Sequence, residues 1–250
     1  MDNNTKALII GGIVAVLLVG GLWVLSNTEL FSGTENPSQN NGTILQNNKE
    51  KGTLVLSITD AAVDMGTISA VSMTIDKVYV HSKAQGWVTV LKAPQSFSLL
   101  TLKSSGRAAL LAKIDIAADT YDQAWLHISN VTITEAGKVK EALLPSNDFK
   151  MEGSIKVENN TNSIAKFDIL ADQSIHKTSK GEFVFAPVIK FESRINATIS
   201  FDSNNFVTIS DGNLVSSTTA GMNVDGQVKT NFQLDPKKEL EIKNGVIEIK

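Results

Sequence analysis

Apolar and polar residues alternate with a period of two along much of this chain, beginning at Gly52. In the segment TLVLSIT that follows, Leu54, Leu56 and Ile58 fall on one face and the residues between them fall on the other. Successive side chains of a β-strand point to opposite faces, so this period indicates a strand with one face toward a core. The same alternation returns in segment after segment as far as Glu192.

The later segments are separated by Gly, Asn, Pro and Ser, which are typical of turns. The run from Val71 to Val80 changes phase once, which predicts a long strand with a β-bulge, and a turn at residues 83–86 leads into a hairpin partner, WVTVL. Only Ala108 to Lys113 has the composition of a short helix. Many short strands with few helices predict a mainly β fold, an antiparallel sandwich or barrel. Further strands are expected at Thr120–Thr134, Phe149–Glu158, Ser163–Leu170 and Glu182–Glu192.

Residues 7–25, ALIIGGIVAVLLVGGLWVL, contain no charged side chain. At about 1.5 Å per residue a helix of this length spans roughly 29 Å, close to the ~30 Å hydrocarbon core of a bilayer. Lys6 precedes the run, and Glu29 and Glu35 follow it. The excess of positive charge on the N-terminal side predicts a single-pass anchor with residues 1–6 in the cytoplasm and the main domain outside.

A cleaved signal peptide is the alternative for this segment, since Val24-Leu25-Ser26 offers tolerated residues around a cut. The apolar run exceeds the usual core of about 7–15 residues, and no A-x-A site follows it. We therefore expect an uncleaved transmembrane helix at 7–25 and a flexible, Asn-rich tether at 26–51. The alternation then predicts a β-sandwich domain at 52–195. The remainder, residues 196–250, is rich in Asn, Ser and Thr, and we expect it to form a C-terminal β extension. This extension either continues the sheet or forms a small unit of its own.

Charge and composition exclude several classes of function. The net charge is -3 with no basic block, which excludes a nucleic-acid surface, because such a surface needs clustered Lys and Arg. The chain has no cysteine, so thiol catalysis, thiolate metal sites and a lipidated N-terminal cysteine are excluded as well. Any anchor must be the chain itself.

Five segments fit the N-x-[ST] glycan acceptor pattern, of which Asn3-Asn4-Thr5 should be cytoplasmic and four follow the predicted membrane helix on its outer side. The acceptor residues of these four are Asn41, Asn130, Asn159 and Asn196. The alternative is that Asn and Thr are simply abundant in this chain. Glycosylation of an exported domain is expected at one or more of the four.

The three histidines, His81, His127 and His176, lie on different segments. Alternation predicts that Tyr121, Trp125 and His127 share the outward face of one strand. Such a row of rings is a candidate ligand-stacking face for a sugar. The alternative is an ordinary outer sheet face that a loop or the C-terminal extension covers.

No spacing of residues matches a catalytic, metal or cofactor motif. Acidic pairs such as Asp60 with Asp64 and Asp168 with Asp172 lack the dense oxygen-ligand loop of a calcium site, and we interpret them as solvated turn carboxylates. There is no G-x-S-x-G elbow, H-E-x-x-H helix or phosphate-binding glycine loop. We predict no catalytic residue, no metal and no cofactor.

Several segments, read in order, resemble the domain-of-unknown-function family 4382. They are Gly52-TLVLSITDA, VSMTIDKVYVHS followed by GWVTV, FSLLTL with AALLAKIDIAADTY, and EFVFAPVIKFE, together covering about residues 52–195. The resemblance implies an exported β-sandwich module of bacteria and archaea, and it implies no established reaction. Ala62 stands where members commonly have proline.

The expected function is a non-catalytic, membrane-anchored, extracytoplasmic module with a structural or binding role at the cell envelope. Its expected partners are the membrane, through residues 7–25, and an envelope protein or glycan, with no nucleic acid. One alternative is a subunit of a surface filament or layer, in which a free strand edge accepts a strand from a neighbouring copy. A second alternative is binding or processing of envelope glycans.

Overall fold

A computed structural model of the chain describes residues 50–60 and 65–250. The predicted cytoplasmic stretch 1–6, the apolar run 7–25, the tether as far as residue 49 and the acceptor Asn41 lie outside the described residues. Among the described residues, no helix is both long enough and apolar enough to cross a membrane. Within them the chain is mainly β, as the alternation predicts.

The described strands follow one another with few helical interruptions. The strands up to residue 195 are β1 Lys51–Thr59, β2 Ile68–Ser82, β3 Gly86–Leu91, β4 Gln95–Ser98, β5 Ala108–Ala117, β6 Asp119–Glu135, β7 Lys138–Leu143, β8 Asp148–Val157, β9 Asn162–Ile169, β10 Ile175–Lys177, β11 Phe183–Phe185 and β12 Val188–Ile195. Those after it are β13 Thr198–Phe201, β14 Phe206–Ser210, β15 Asn213–Met222, β16 Val228–Thr230, β17 Leu240–Lys243 and β18 Val246–Ile249. The helices are α1 Leu99–Ser105 and α2 Ala171–Ser174.

These strands form two large sheets and a small one within the described part of the chain. The first sheet has the order β13-β14-β5-β1-β9-β12-β15-β16, and the second has the order β10-β11-β7-β6-β2-β3, with β4 beside β2 and β8 beside β6. Most neighbours are antiparallel, but β1 with β9 and β11 with β7 run parallel. The expectation of a wholly antiparallel sheet was therefore wrong, because long connections let these strands return in the same direction.

The main core lies where inward residues of both sheets meet. Leu54, Leu56 and Ile58 of the first sheet are fully buried in one cluster with inward residues of β2 and β6. The predicted phase change in β2 is confirmed. The pairing of β2 with β6 shifts register around Ile75. Before the shift the buried residues are odd-numbered, and after it they are even-numbered: Val71, Met73 and Ile75, then Val78 and Val80. Burying these aliphatic side chains supplies the main driving force for folding.

The predicted helix at 108–113 was wrong. These residues begin β5, which pairs with β1 and buries Leu111 and Ala112, while the short helix α1 precedes them at Leu99–Ser105. Gly106 ends α1 in the left-handed conformation that glycine favours. Ala and Leu are good helix formers, but pairing with β1 outweighs that weak local preference.

After residue 195 the chain continues the first sheet and then leaves it. Strands β13 to β16 belong to that sheet. Val207 of the β13–β14 hairpin and Ala197, the residue before β13, pack against Val55 and Ile164 on the sheet's outer surface. Among the described strands, the last two pair only with each other, and they pack Leu240 and Ile247 in a separate cluster with residues near β11.

The segment predicted as one strand at 182–192 is broken between β11 and β12 at Pro187, which cannot donate to a ladder.

Candidate binding face

The outward surface of the second sheet carries a group of rings that β2, β3 and β6 position. The cross-strand neighbours are Tyr79 with Trp125 and His81 with Trp87. Tyr79, His81, Trp87, Trp125 and His127 are partly or well exposed, and we call these five residues the aromatic face. Two of its members, Trp125 and His127, were predicted as outward residues.

Tyr121 is not on the aromatic face, so its predicted position was wrong. Its side chain is 0% exposed in the main core, and its O–H donates to the backbone carbonyl of Ala117 at 3.0 Å. The register between β6 and β8 shifts between Tyr121 and Gln123, which turns Tyr121 and Ala124 to the same inward side. Burial, together with the nearby charge of Asp119, raises the pKa of Tyr121 to about 12.

Four rings of the aromatic face, those of Tyr79, His81, Trp87 and Trp125, touch one another in sequence. The ring centroids of Tyr79 and Trp125 are 4.8 Å apart, and those of His81 and Trp87 are 5.0 Å apart. Trp87 meets Trp125 edge-on at 5.7 Å. Aromatic pairs at these distances attract each other through their quadrupoles as well as by burial. These four rings therefore form one continuous surface.

Two carboxylates fix the polar ends of these rings. One oxygen of Asp148 accepts a hydrogen bond from the Trp125 indole N–H at 3.0 Å and lies 2.7 Å from Nδ1 of His127. Asp122 holds His81 in the same way, with 2.8 Å between its oxygen and Nδ1. Partial burial opposes ionisation of Asp148, but the hydrogen bonds from His127 and Trp125 outweigh it and lower the pKa of this carboxyl below its ordinary value.

Trp87 has the most exposed ring of the face. The Lys150 ammonium lies 4.2 Å from the Trp125 ring centroid, a cation–π distance, and Tyr79 packs against the same indole. Trp125 is half-buried between these neighbours, whereas Trp87 is 41% exposed. The ring best able to stack on a ligand is therefore Trp87, which the sequence analysis did not select.

A polar cleft of about 260 Å³ lies beside the aromatic face, between β8 and β16. Gln123, Lys150 and Glu152 line it on the second sheet, and Thr230 lines it from β16. Lys150 thus contacts the Trp125 ring and also borders the cleft. The cleft offers hydrogen-bond donors and acceptors next to the rings.

A larger cleft, of about 750 Å³, lies between β7, the turn before β11 and the β17–β18 hairpin. Lys140 lines it, but its ammonium already donates to the Gly181 carbonyl at 3.0 Å and lies 5.2 Å from the Phe183 ring. The chain therefore satisfies this cation itself. The aromatic face is the better candidate because its exposed ring and the polar cleft lie side by side.

The remaining predicted residues are scattered. Asn130, Asn159 and Asn196 are all exposed and far apart in the chain, on β6, in the turn after β8 and after β12. His176 is buried on β10, away from the other histidines in sequence, and burial lowers its pKa. Asn41 lies outside the described residues.

Two of the acidic residues interpreted as solvated are in fact buried. Asp60 and Asp168 lie at the ends of neighbouring parallel strands, and Asp60 accepts a hydrogen bond from the backbone N–H of Ala171 at 3.4 Å. Within residues 50–60 and 65–250, no three His, Cys, Asp or Glu side chains are grouped so as to hold a metal ion. Asp64 lies outside the described residues.

A family model described as a domain of unknown function, DUF4382, matches residues 51–187. The chain belongs to the DUF4382 family. No curated protein and no solved structure matched it. All five residues of the aromatic face lie within the part that the DUF4382 model matches, whereas the β13–β14 hairpin lies beyond it.

Proposed function

We propose that this DUF4382 chain is a non-catalytic binding module of the cell envelope. Residues 7–25 anchor it as a single-pass membrane protein with the N-terminus in the cytoplasm and the β-rich domain, an exported sandwich with its C-terminal β extension, outside. The observation that supports a binding role is the aromatic face, where Trp87 is 41% exposed.

An exposed tryptophan favours binding because the indole offers a large apolar area at a small entropic cost. Trp and Tyr are enriched among the residues that dominate binding energies. On the aromatic face, the hydrogen bonds of Asp122 and Asp148 hold His81, Trp125 and His127 in one arrangement. A surface held in this way loses little conformational freedom when a ligand binds.

The two His–Asp pairs do not favour a catalytic role. A nucleophilic triad needs a hydroxyl bonded to the second nitrogen of the imidazole. Among the hydrogen bonds of the described residues, no Ser or Thr hydroxyl bonds His81 or His127. In each pair the carboxylate therefore positions the imidazole ring, as expected for a binding surface.

Glycosylation also fits an exported domain. Asn130, Asn159 and Asn196 are exposed, so a transferase has access to them. We propose that at least one of these acceptors, or Asn41, carries a glycan. Mass spectrometry of peptides from the native protein tests this, and unmodified peptides at all four positions would rule it out.

Cell fractionation of the full chain tests placement, and binding to isolated envelopes tests the role. We expect the chain in the membrane fraction, with a C-terminal epitope accessible to antibody on intact cells. A mature chain that starts at Asn27 would overturn the anchor.

The full chain should bind envelopes, and Trp87→Ala should remove most of this binding. Phe201→Ala, which truncates another ring of similar exposure (38%), should not remove it.

The edge of β15 supports a second candidate, a subunit of a surface filament. One side of β15 pairs with β12, and among the described strands the other side pairs with β16 alone, and only at residues 220–222. Residues 213–218, NLVSST, have no charge and no proline, and Leu214 is 57% exposed. Natural edge strands are usually protected by charge, proline or a covering segment.

Electron microscopy tests this filament candidate. Polymers in negative-stain images that Leu214→Lys abolishes would support it, and a chain that stays monomeric over a wide concentration range would exclude it.

A further inference from the structure

We propose that the ligand of the aromatic face is a neutral glycan, with one sugar stacked on Trp87 and a neighbouring sugar in the cleft beside Lys150. This inference rests on the proposed binding role and names the chemical class of the ligand. It depends on the exposed ring, the adjoining polar cleft and the charges around them.

Trp87 presents a ring face that suits a sugar. The C–H groups on one side of a pyranose carry partial positive charge, and they are attracted to the negative face of an aromatic ring. His81 and Trp125 hold the Trp87 ring at centroid distances of 5.0 and 5.7 Å, so the indole is positioned before a ligand arrives. Trp125 serves mainly to support it, because Tyr79 and Lys150 already contact the Trp125 ring.

The cleft supplies the polar contacts that a sugar needs. Each hydroxyl of a sugar both donates and accepts hydrogen bonds, so its site must offer both. Lys150 donates, Glu152 accepts, and the Gln123 amide does both, and all three line a cleft of about 260 Å³, which has room for one sugar ring. Lys150 lies 5.9 Å from the Trp87 ring centroid, so the stacking surface and the cleft are within reach of one chain.

The surrounding charges favour a neutral glycan over other ligands. Positive and negative charges nearly balance on this surface. The cations are Lys77 and Lys150, and the carboxylates are Asp122, Asp148 and Glu152. A polyanion such as a nucleic acid or an acidic lipid surface requires an excess of cations. A lipid tail or an apolar peptide requires a continuous apolar patch, whereas polar groups border each ring here.

Envelope binding after selective chemistry tests the proposal. Isolated envelopes are treated either with mild periodate followed by borohydride, which cleaves the vicinal diols of sugars, or with a protease, and the full chain is then added. We expect periodate to abolish the Trp87-dependent binding and protease to leave it. Trp87-dependent binding that survives periodate and is lost with protease would overturn the glycan while leaving the binding role intact. Envelope binding that is absent, or that Trp87→Ala does not change, would overturn the binding role itself.

A direct titration identifies the residues that contact the sugar. The chain has three tryptophans, so in a full-length Trp23→Phe background the fluorescence reports only Trp87 and Trp125. Soluble oligomers of glucose and mannose, together with oligosaccharides released from the same envelopes, are the probes. We expect a saturable change with at least one probe, weakened at least about tenfold by Trp87→Ala and largely retained by Trp87→Tyr.

The cleft has its own matched pair of variants. Glu152→Ala, which removes an exposed carboxylate from the cleft, should weaken binding about threefold to tenfold. Glu141→Ala removes an exposed carboxylate on β7, at the other cleft, and should leave the affinity unchanged. Equal effects of the two variants, or a titration with no saturable change for any probe including the released oligosaccharides, would overturn the proposal.

Discussion

The outer surfaces of the two large sheets differ in what lies over them. On the first sheet, Val55 and Ile164 point away from the main core, and the β13–β14 hairpin covers them with Val207 and with Ala197, the residue just before it. On the second sheet, the aromatic face points away from the same core, and Trp87 remains 41% exposed. One chain thus has a covered apolar surface and an open aromatic one.

This difference shows two ways to manage side chains on the outside of a sheet. Aliphatic residues have no polar atom, so burial against other apolar groups is what makes them stabilise the fold. Tyr, Trp and His have polar ends, and on the aromatic face Asp122 and Asp148 bind the polar ends of His81, His127 and Trp125. The covered surface serves stability, whereas the open surface is available for a ligand.

The largest effect is expected at the covered surface. Ile164 is 1% exposed under the hairpin, so Ile164→Ala should lower the free energy of unfolding by about 2–4 kcal/mol through lost burial and the cavity left behind. Chemical denaturation of the full chain measures this. Gln123→Ala, on the outward side of the second sheet, should change the same quantity by less than about 0.5 kcal/mol. Similar losses in both variants would contradict the distinction between the two surfaces.

The next effect separates the buried tyrosine from the outward one. Tyr121→Phe removes the hydrogen bond to the Ala117 carbonyl and should lower the free energy of unfolding by about 1 kcal/mol.

A titration of tyrosine absorbance checks the burial of the Tyr121 hydroxyl. The chain has two tyrosines, so Tyr121 is the one that remains in Tyr79→Phe, and its absorbance should titrate with a pKa of about 12. Because burial raises this pKa in the folded state, the stability that Tyr121 contributes is complete below about pH 10 and is lost as the pH rises toward 12. A midpoint near pH 10 in Tyr79→Phe would place Tyr121 in solvent.

A smaller effect on stability is expected from the aromatic face itself. Trp87→Ala should lower the free energy of unfolding by no more than about 1 kcal/mol, because the ring is partly in water before the change. Circular dichroism during denaturation measures it beside Ile164→Ala. A loss as large as that of Ile164→Ala would mean that Trp87 is a structural residue, and loss of binding in that variant would then say nothing about ligand contact.

The smallest effect concerns the pH dependence of the carboxylate under the rings. The pKa of Asp148 is lowered in the folded state, so its contribution is present above the unfolded pKa of about 3.9 and is lost as the pH falls through the folded value. The Asp148 side chain is 46% exposed, and solvent screening should keep the contribution below about 1 kcal/mol. Asp148→Asn should therefore lose less stability than the unchanged chain on acidification below about pH 4. Identical acid transitions would show that the His127 and Trp125 contacts contribute nothing.

Much of the strand layout follows from local patterns. The alternation at 54–58 and the phase change in β2 predicted both the strands and their inward residues, because burial of one face imposes a period of two. The phase change also turns Tyr79 and His81 outward, and the turn at 83–86 brings Trp87 beside His81. The aromatic face could thus have been predicted more fully from the hairpin alone.

Other features depended on partners that are distant in the chain. The register shift opposite β8 turned Tyr121 into the core, and pairing with β1 made a strand of residues 108–113 in spite of their helix-forming composition. Both are consequences of pairing between segments that no local window contains. The third ring of the predicted row was misplaced for this reason.

The sequence by itself determined the β-rich class, the family and the inward side of most strands, because these depend on composition and period. Only the tertiary structure decided that a hairpin covers the outer surface of the first sheet while the aromatic face of the second sheet stays exposed. It also decided that Trp87, Trp125 and Lys150 meet beside a polar cleft. The physical reason is that periodicity defines which way a side chain points, whereas register and bulges between distant strands define what it meets.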